Sequence, residues 1–190
     1  MGKDRRINEV ADEIRSGSLN VAFTGAGVST ASGIPDFRGE GGLWERHDPS
    51  KFHVSEFKRD PESFWETMRE VRREAFERTD PEPNPAHDAL ARMYADGLLE
   101  AVVTQNVDGL HQESGMPDDA VIELHGNADR VACESCGWRT DADVAVERAE
   151  DGFPPVCGSC GDPMKPDTVL FGESLPEGAL YRARELARGA

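Results

Sequence analysis

The sequence feature that most constrains the fold is a loop of small residues that follows a short apolar run. Residues 19–24 read Leu-Asn-Val-Ala-Phe-Thr, and residues 25–39 read Gly-Ala-Gly-Val-Ser-Thr-Ala-Ser-Gly-Ile-Pro-Asp-Phe-Arg-Gly. A strand that runs into small residues lets the backbone approach a ligand closely, and amide groups at such a loop can hold a pyrophosphate. The pattern therefore indicates a nucleotide-binding loop at the carboxyl end of a strand.

This loop departs from the loop of an ordinary Rossmann-fold dehydrogenase. Thr30 stands where the pattern G-x-G-x-x-G has its third glycine. The sequence also lacks a second strand that ends, about twenty positions further on, in an acidic residue for the ribose. The loop therefore argues against hydride transfer and for another use of a dinucleotide.

Length and charge set further limits. A chain of 190 residues can bury one core with a small satellite module. It carries 37 acidic residues against 21 lysines and arginines, a net charge of −16, and only four of those cations are lysine. This is either an ordinary soluble acidic surface or adaptation to a salty cytoplasm, where salt screens the repulsion between carboxylates, and we favour the second. Such a surface should repel nucleic acid, so direct nucleic-acid binding is not expected.

The sequence contains no apolar run as long as a membrane span and no secretory hydrophobic region at its start, so we expect a cytoplasmic protein without membrane contact. Its four cysteines form two C-x-x-C pairs, Cys133 with Cys136 and Cys157 with Cys160, with twenty residues between the pairs. This spacing predicts a zinc ribbon, in which four thiolates fill a tetrahedral zinc and leave no place for water. The alternative is a set of two redox pairs.

Periodicity along the chain predicts an α/β fold. Helices are expected at 7–15, from 60 to about 78, and at 86–96, 108–114 and 177–188; strands are expected at 20–24, 100–104, 120–124 and 168–171. The alternation of the two kinds of element is typical of a parallel sheet.

Polar side chains follow two of these predicted strands. Gln105, Asn106 and Asp108 come directly after one strand, and His125 ends the next. Ligands of α/β proteins bind at the carboxyl ends of strands, which favours a site there. Helix capping by Asn106 or Asp108, and a buried structural role for His125, are the alternatives.

Together these motifs resemble the signature of the sirtuins, the NAD-dependent protein lysine deacylases. The quoted segments are Gly25 to Gly39, then Thr104-Gln-Asn-Val-Asp-Gly-Leu-His111, then Glu123-Leu-His-Gly126, then Lys165-Pro-Asp-Thr-Val-Leu-Phe-Gly-Glu173, with the four cysteines between the last two. The order agrees with that of the family, and the resemblance covers nearly the whole chain.

The resemblance implies a fold of two parts. A Rossmann-like NAD-binding domain would comprise residues 1–39, 85–125 and 166–190. A smaller domain would combine a helical insertion, 40–84, with a zinc-binding module, 126–165. A sirtuin continues beyond such a chain with a strand, a Gly-Thr-Ser-type loop and another strand that ends at an asparagine contacting the adenosine. We therefore expect a parallel sheet whose C-terminal strands are missing, which would expose a sheet edge at 168–171.

The resemblance also implies the roles of individual residues. His125 and Asn106 would be catalytic, with His125 as the base that deprotonates a ribose hydroxyl. The residues implied in binding the cofactor are Gly25, Ala26, Gly27, Thr30, Asp36, Phe37, Arg38, Gln105, Asn106, Val107, Asp108 and His125. Val169 and Phe171 would line the acyl-lysine tunnel, and 171–173 would pair with the substrate backbone; plain core strand is the alternative for these.

The implied activity is removal of an acetyl group from a protein lysine with consumption of NAD as co-substrate and with zinc as a structural metal. The acyl oxygen would attack the ribose carbon and release nicotinamide, and the products would be free lysine and O-acetyl-ADP-ribose. Sirtuins that prefer succinyl or malonyl groups carry Tyr-x-x-Arg in the helical insertion, where this chain has Met68 and Val71. Acetyl groups are therefore favoured. An inactive zinc- or NAD-binding fragment and a protein mono-ADP-ribosyltransferase remain alternatives.

Overall fold

A computed structural model describes residues 2–149 and 153–190. Its main sheet has three parallel strands, β1 (Val21–Thr24), β2 (Ala101–Thr104) and β3 (Val121–Glu123), in the order β1-β2-β3. A second sheet is antiparallel and holds β4 (Gly126–Cys133) between β5 (Arg139–Asp141) and β6 (Met164–Thr168). Because β3 leads into β4 through only two residues, the two sheets are joined at the end of β3.

The helices surround these sheets. They are α1 (Gly2–Ser16), α2 (Leu43–Arg46), α3 (Val54–Arg59), α4 (Pro61–Arg72), α5 (Pro85–Ala95), α6 (Leu110–Glu113), α7 (Ala142–Arg148) and α8 (Glu177–Gly189). A π-helical turn, Arg73–Glu77, continues α4, and short 3-10 turns lie at Ala26–Val28, Thr30–Ser32, Pro49–Phe52 and Asp118–Ala120.

Local sequence explains where α4 and α5 begin. Asp60 accepts a hydrogen bond from the Ser63 amide at the start of α4, and proline follows it at the first helical position. At α5 the Asn84 side chain accepts from a backbone amide while the His87 side chain accepts from the Asn84 amide, a reciprocal capping box. This cap also buries His87 beneath the glycine loop.

The parallel sheet is covered on both faces. One face packs Leu99, Val102, Met116 and Val121 against α5, and the other packs Val103, Ile122 and neighbouring residues against α8. Layers of helix, sheet and helix are the arrangement that the alternating sequence pattern predicted.

The helical insertion and the cysteine-bearing sheet share a separate core. Phe57, Phe64 and Trp65 pack with Val131, Met164, and the cysteines Cys133 and Cys157. The Trp65 indole N–H donates to the Met164 carbonyl oxygen at 2.7 Å. The two segments therefore stabilise each other.

Most predicted elements are confirmed within a few residues, but the strand expected at 168–171 is wrong. The strand ends at Thr168 and pairs antiparallel with β4 instead of joining the parallel sheet. Among the described residues the edges of the parallel sheet are β1 and β3, and Phe23 of β1 is 65% exposed. The helix α1 forms as predicted, although Ile7 and Val10 on its apolar face stay exposed.

In the part of the chain that the structure describes, none of the helices combines the length and apolar character that crossing a membrane requires.

Candidate active site

The glycine loop leaves β1 as two consecutive 3-10 turns. Gly25 precedes the first turn, and Gly27 is exposed with no atom within 4 Å of where a side chain would begin. The first amides of such a turn have no acceptor inside it, so those of Ala26 and Gly27 can donate to an anion. Open space and backbone donors together fit the pyrophosphate of a dinucleotide.

Ser29 is a buried hub beneath this loop. It is 1% exposed, and its hydroxyl donates to Asp108 Oδ2 at 2.7 Å. Having used its one proton, the hydroxyl accepts from Asn106 Nδ2 at 2.9 Å. It also faces His87 Nε2 at 3.5 Å, the outer limit of a hydrogen bond. The hub thus ties the loop to the residues that follow β2.

These bonds fix the side-chain amide of Asn106. Nδ2 donates to Ser29 Oγ at 2.9 Å and to Asp108 Oδ2 at 3.1 Å, and these two acceptors lie on the same side of it. The amide oxygen is therefore turned away from the hub and is available to accept a hydrogen bond from a ligand hydroxyl or a water molecule. Asp108 also accepts from the Leu110 amide through its other oxygen at 3.1 Å, so its carboxylate is held on both sides.

A second hydrogen-bond chain holds the backbone of Asn106. Its amide donates to Thr104 Oγ1 at 3.0 Å, and Thr24 Oγ1 donates to the same oxygen at 2.9 Å. Thr24 must then accept from His111 Nε2, which lies 2.9 Å away. His111 therefore carries its proton on Nε2, and its Nδ1 is buried with no hydrogen-bond partner among the described residues.

The two buried histidines of this region are uncharged at neutral pH. Burial lowers the pKa of His111 to about 4, and the neighbouring His87 lowers it too, while Asp108 acts in the opposite direction. Burial also lowers the pKa of His87, against the attraction of Asp108 and Asp88. Their rings meet edge-on at 4.9 Å between centroids, so a charge on either would disfavour a charge on the other.

His125 lies in the short turn between β3 and β4. Its Nδ1 lies 2.9 Å from the Gln105 carbonyl oxygen. A carbonyl can only accept, so Nδ1 carries the proton and Nε2 presents a lone pair. The His125 carbonyl oxygen accepts from the Val169 amide at 2.9 Å, which joins the turn to the segment after β6. A base is thus held next to the residues that end β2.

Aromatic side chains from three segments meet beside this turn. Trp44 lies 5.1 Å from Phe37, 4.9 Å from Phe52 and 6.0 Å from Phe171, measured between ring centroids. Phe171 is also fixed by its backbone, which donates to Phe52 and accepts from Val54. Phe37 and Phe171 keep 42% and 47% of their surface exposed, so the cluster presents an apolar wall to a ligand.

The four cysteines converge at the far end of the second sheet. Their sulfur atoms all lie within 4.8 Å of one another. A tetrahedral zinc with bonds of about 2.3 Å needs sulfurs about 3.8 Å apart, so the set fits this metal. The Ser159 amide points at Cys157 Sγ at 3.4 Å, which favours the thiolate that zinc requires.

The structure brings most of the predicted site residues together. Gly25, Gln105, Asn106, Asp108 and His125 surround the ends of β1, β2 and β3, and Val169 adjoins His125, whereas Phe171 bonds to the segment around Phe52. The Asp36 carboxylate accepts a hydrogen bond from the Gly39 amide at 2.6 Å. The Thr30 hydroxyl donates to the Gly27 carbonyl oxygen, and the Arg38 side chain is exposed. The Val107 carbonyl accepts from Ala128.

Sequence reasoning missed four residues of this region: Ser29, His87, Trp44 and Phe52. Ser29 carried one usable signal, since it is a small polar residue inside the glycine loop. The contact of His87 with Ser29 spans 58 positions, and Trp44 and Phe52 meet the site through Phe171, which also lies far along the chain, so local patterns do not reveal these contacts.

Comparison with known proteins gives a consistent result. The profile described as the Sir2 family matches residues 25–188. A relative from Haloarcula marismortui, named an NAD-dependent protein deacetylase, is 50% identical over 184 residues, which span 96% of this chain and 70% of the relative. A deacetylase of the same kind from Pyrobaculum aerophilum is 48% identical, over 97% of this chain and 70% of its own length.

Solved structures agree with the sequence matches. A Sir2 structure with a p53 peptide and NAD+ superimposes with a TM-score of 0.81 at 38% identity, over 95% of this chain and 71% of that one. A Sir2 structure with a deacetylated p53 peptide and 3'-O-acetyl ADP-ribose gives a TM-score of 0.84 at 38% identity, over 95% and 72%.

Proposed function

Because this chain belongs to the Sir2 family, we propose that it removes acetyl groups from lysine side chains of proteins and consumes NAD as it does so. NAD is the co-substrate, and the four-cysteine cluster is the site of a structural zinc. The products are nicotinamide, O-acetyl-ADP-ribose and the free lysine. The substrate is a protein segment that carries acetyl-lysine.

The observation that supports this function most is the pairing of two fixed groups at neighbouring strand ends. His125 directs a lone pair from Nε2, and Asn106 directs an amide oxygen away from its buried bonds. A base and an acceptor together can hold two hydroxyl groups of a ribose and withdraw a proton from one of them. Their orientation depends on hydrogen bonds that exist without a ligand.

Each remaining part of the site has one task. NAD supplies a ribose carbon that takes up the acyl oxygen as nicotinamide leaves. The glycine loop binds the pyrophosphate, and Asp108 and Gln105 flank the nicotinamide end. Phe37 keeps water from the reacting carbon, while Val169 and Phe171 guide the acyl-lysine. His125 then takes the proton from a ribose hydroxyl through Nε2, that oxygen bonds to the acyl carbon, and one water molecule completes release of the free lysine.

The helical insertion supports a preference for acetyl groups. Met68 packs into the shared core, so it does not offer a polar contact to an acyl chain. Of the neighbouring arginines, Arg72 is engaged, because it donates to the Ala128 oxygen at 3.1 Å. Arg69 lies over the Phe153 ring at 4.5 Å but is exposed, as is Arg73. Support for acetyl groups therefore rests on the absence of a Tyr-x-x-Arg pair, since Met68 and Val71 occupy those positions.

The proposal includes the salt concentration in which the protein works. The net charge of −16 and a half-identical relative from Haloarcula marismortui support a cytoplasm of high salt as the working environment. At molar salt the Debye length is only about 3 Å, so the repulsion between surface carboxylates is largely removed. Assays therefore belong in molar potassium chloride.

The test is to identify the products. The zinc-loaded protein is incubated with NAD and an acetyl-lysine peptide in molar salt, and the reaction is followed by mass spectrometry. Loss of the acetyl group together with O-acetyl-ADP-ribose supports deacetylation. Transfer of ADP-ribose to protein would instead indicate a mono-ADP-ribosyltransferase, and an unchanged peptide would mean that the chain binds without turnover.

A further inference from the structure

The turn that presents Phe171 is held by an ion pair that is mostly shielded from solvent. The Leu170 carbonyl oxygen accepts from the Glu173 amide at 3.0 Å, which closes a four-residue turn. Gly172 occupies its third position with φ of +87°, where a side chain would also meet the His53 ring at 2.5 Å. The turn therefore has one conformation, and Phe171 lies at its tip.

Glu173 turns one carboxylate oxygen back onto its own turn. Oε2 accepts from the Leu170 amide at 2.7 Å and from Lys165 Nζ at 3.1 Å. The Lys165 ammonium also donates to the carbonyl oxygens of Pro166 and Thr168, at 3.2 and 2.9 Å, so its three protons are all used. The Lys165 and Glu173 side chains are only 9% and 18% exposed.

Stability alone is a weak reason for such a pair. Removing two charges from water costs free energy, and apolar replacements of buried pairs are often neutral. Lysine is also rare here, since Lys165 is one of only four in a chain with 21 lysines and arginines. The geometry offers a better reason, because one ammonium joins the end of β6 to both sides of the turn.

We propose that Lys165 and Glu173 are positioning residues for the acyl-lysine substrate. Their hydrogen bonds to Thr168 and Leu170 flank Val169. The pair therefore fixes the position of Val169 and of the Phe171 turn relative to His125. The proposal rests on the proposed function, because it assumes that an acetyl-lysine peptide lies along this turn. Neither residue contacts the dinucleotide loop, so the pair should affect peptide binding and leave NAD binding alone.

The test compares K165M and E173Q with K165R and with a matched control. Lys58 and Glu134 form a lysine–glutamate pair at 3.5 Å in the same part of the molecule, but the side chains are 61% and 31% exposed. K58M should therefore change nothing. Kd for an acetyl-lysine peptide should rise about ten-fold in K165M and in E173Q. In both variants Kd for NAD should stay within about two-fold of the parent value. The variant K165R should bind the peptide as the parent does.

A second readout follows the turn directly. The Leu170 amide should exchange with deuterium faster in E173Q, because its acceptor loses charge. Equal weakening of peptide and NAD binding, or unchanged peptide binding, would overturn the proposal, as would a parent protein that does not bind the peptide. Peptide binding without turnover in the parent would count against the proposed function only, because binding and exchange still report on the pair.

Discussion

The Nδ1 of His125 donates a hydrogen bond to the carbonyl oxygen of Gln105 at 2.9 Å. This bond joins the end of β3 to the end of β2 and determines which imidazole nitrogen faces the site. Because Gln105 itself follows β2 directly, the position of the base depends on the register of two neighbouring strands. The pairing of β2 with β3 thus determines the orientation of the His125 ring.

The hub residue Ser29 gives a first prediction. Ser29→Ala removes the donor to Asp108 and the acceptor for Asn106, so both side chains lose a fixed orientation. We expect Kd for NAD to rise about ten-fold, since a buried hydrogen bond of this kind is worth about 1–2 kcal/mol. Calorimetric titration with NAD measures the change. Ser16→Ala, an exposed serine that bonds only within α1, is the control and should bind NAD normally.

The buried His111 gives a prediction about pH. The fold lowers its pKa from 6.5 to about 4, so the folded state binds the proton less well than the unfolded chain does. Stability is therefore complete above pH 6.5 and is lost as the pH falls toward 4, by up to about 1.4 kcal/mol per pH unit.

The check is the free energy of unfolding in urea, measured for the parent protein and for His111→Gln. Glutamine can still donate to Thr24 but does not titrate. The difference between the two curves should therefore shrink or reverse as the pH falls from 6.5 to 4. Curves that run parallel over this range would show that His111 titrates normally.

Gly126 follows His125 directly and allows a third prediction. Its φ is +75°, and a Cβ there would lie 1.9 Å from the Asp167 carbonyl oxygen. Gly126→Ala should therefore lower the free energy of unfolding by at least about 2 kcal/mol and reduce deacetylation, because the turn carrying His125 must shift. Gly178→Ala is the matched control, since its Cβ meets no atom within 4 Å. A stable, fully active Gly126→Ala protein would contradict the geometry.

Removal of zinc should destabilise the helical insertion as well as the cysteine-bearing sheet. Cys133 and Cys157 belong to the same core as Phe57, Phe64 and Trp65 of the helical insertion. A chelator should thus lower the melting temperature and change tryptophan fluorescence, and added zinc should reverse both effects. Cys136→Ser should behave like the chelated protein. A melting temperature insensitive to chelation would favour redox pairs over a zinc site.

Local sequence was enough to predict some parts of this molecule and not others. The glycine loop, the strand ends at Gln105 and His125 and the cysteine spacing carry their signals within a few residues. The strand at 168–171 was predicted from apolar residues, yet Leu170 and Phe171 belong to a turn because Gly172 adopts a positive φ. The real strand contains Pro166 and forms because β4 offers a partner. Ser29 and His87 could not be paired from sequence, since 58 positions separate them.

The most direct test of the central claim is nicotinamide release from NAD in molar salt, measured with and without an acetyl-lysine peptide. The account predicts release only with the acetylated peptide. It also predicts that in His125→Ala, formation of deacetylated peptide falls at least about 100-fold while Kd for NAD is retained. Release that is independent of the peptide, or deacetylation that survives loss of His125, would contradict the assignment of this site.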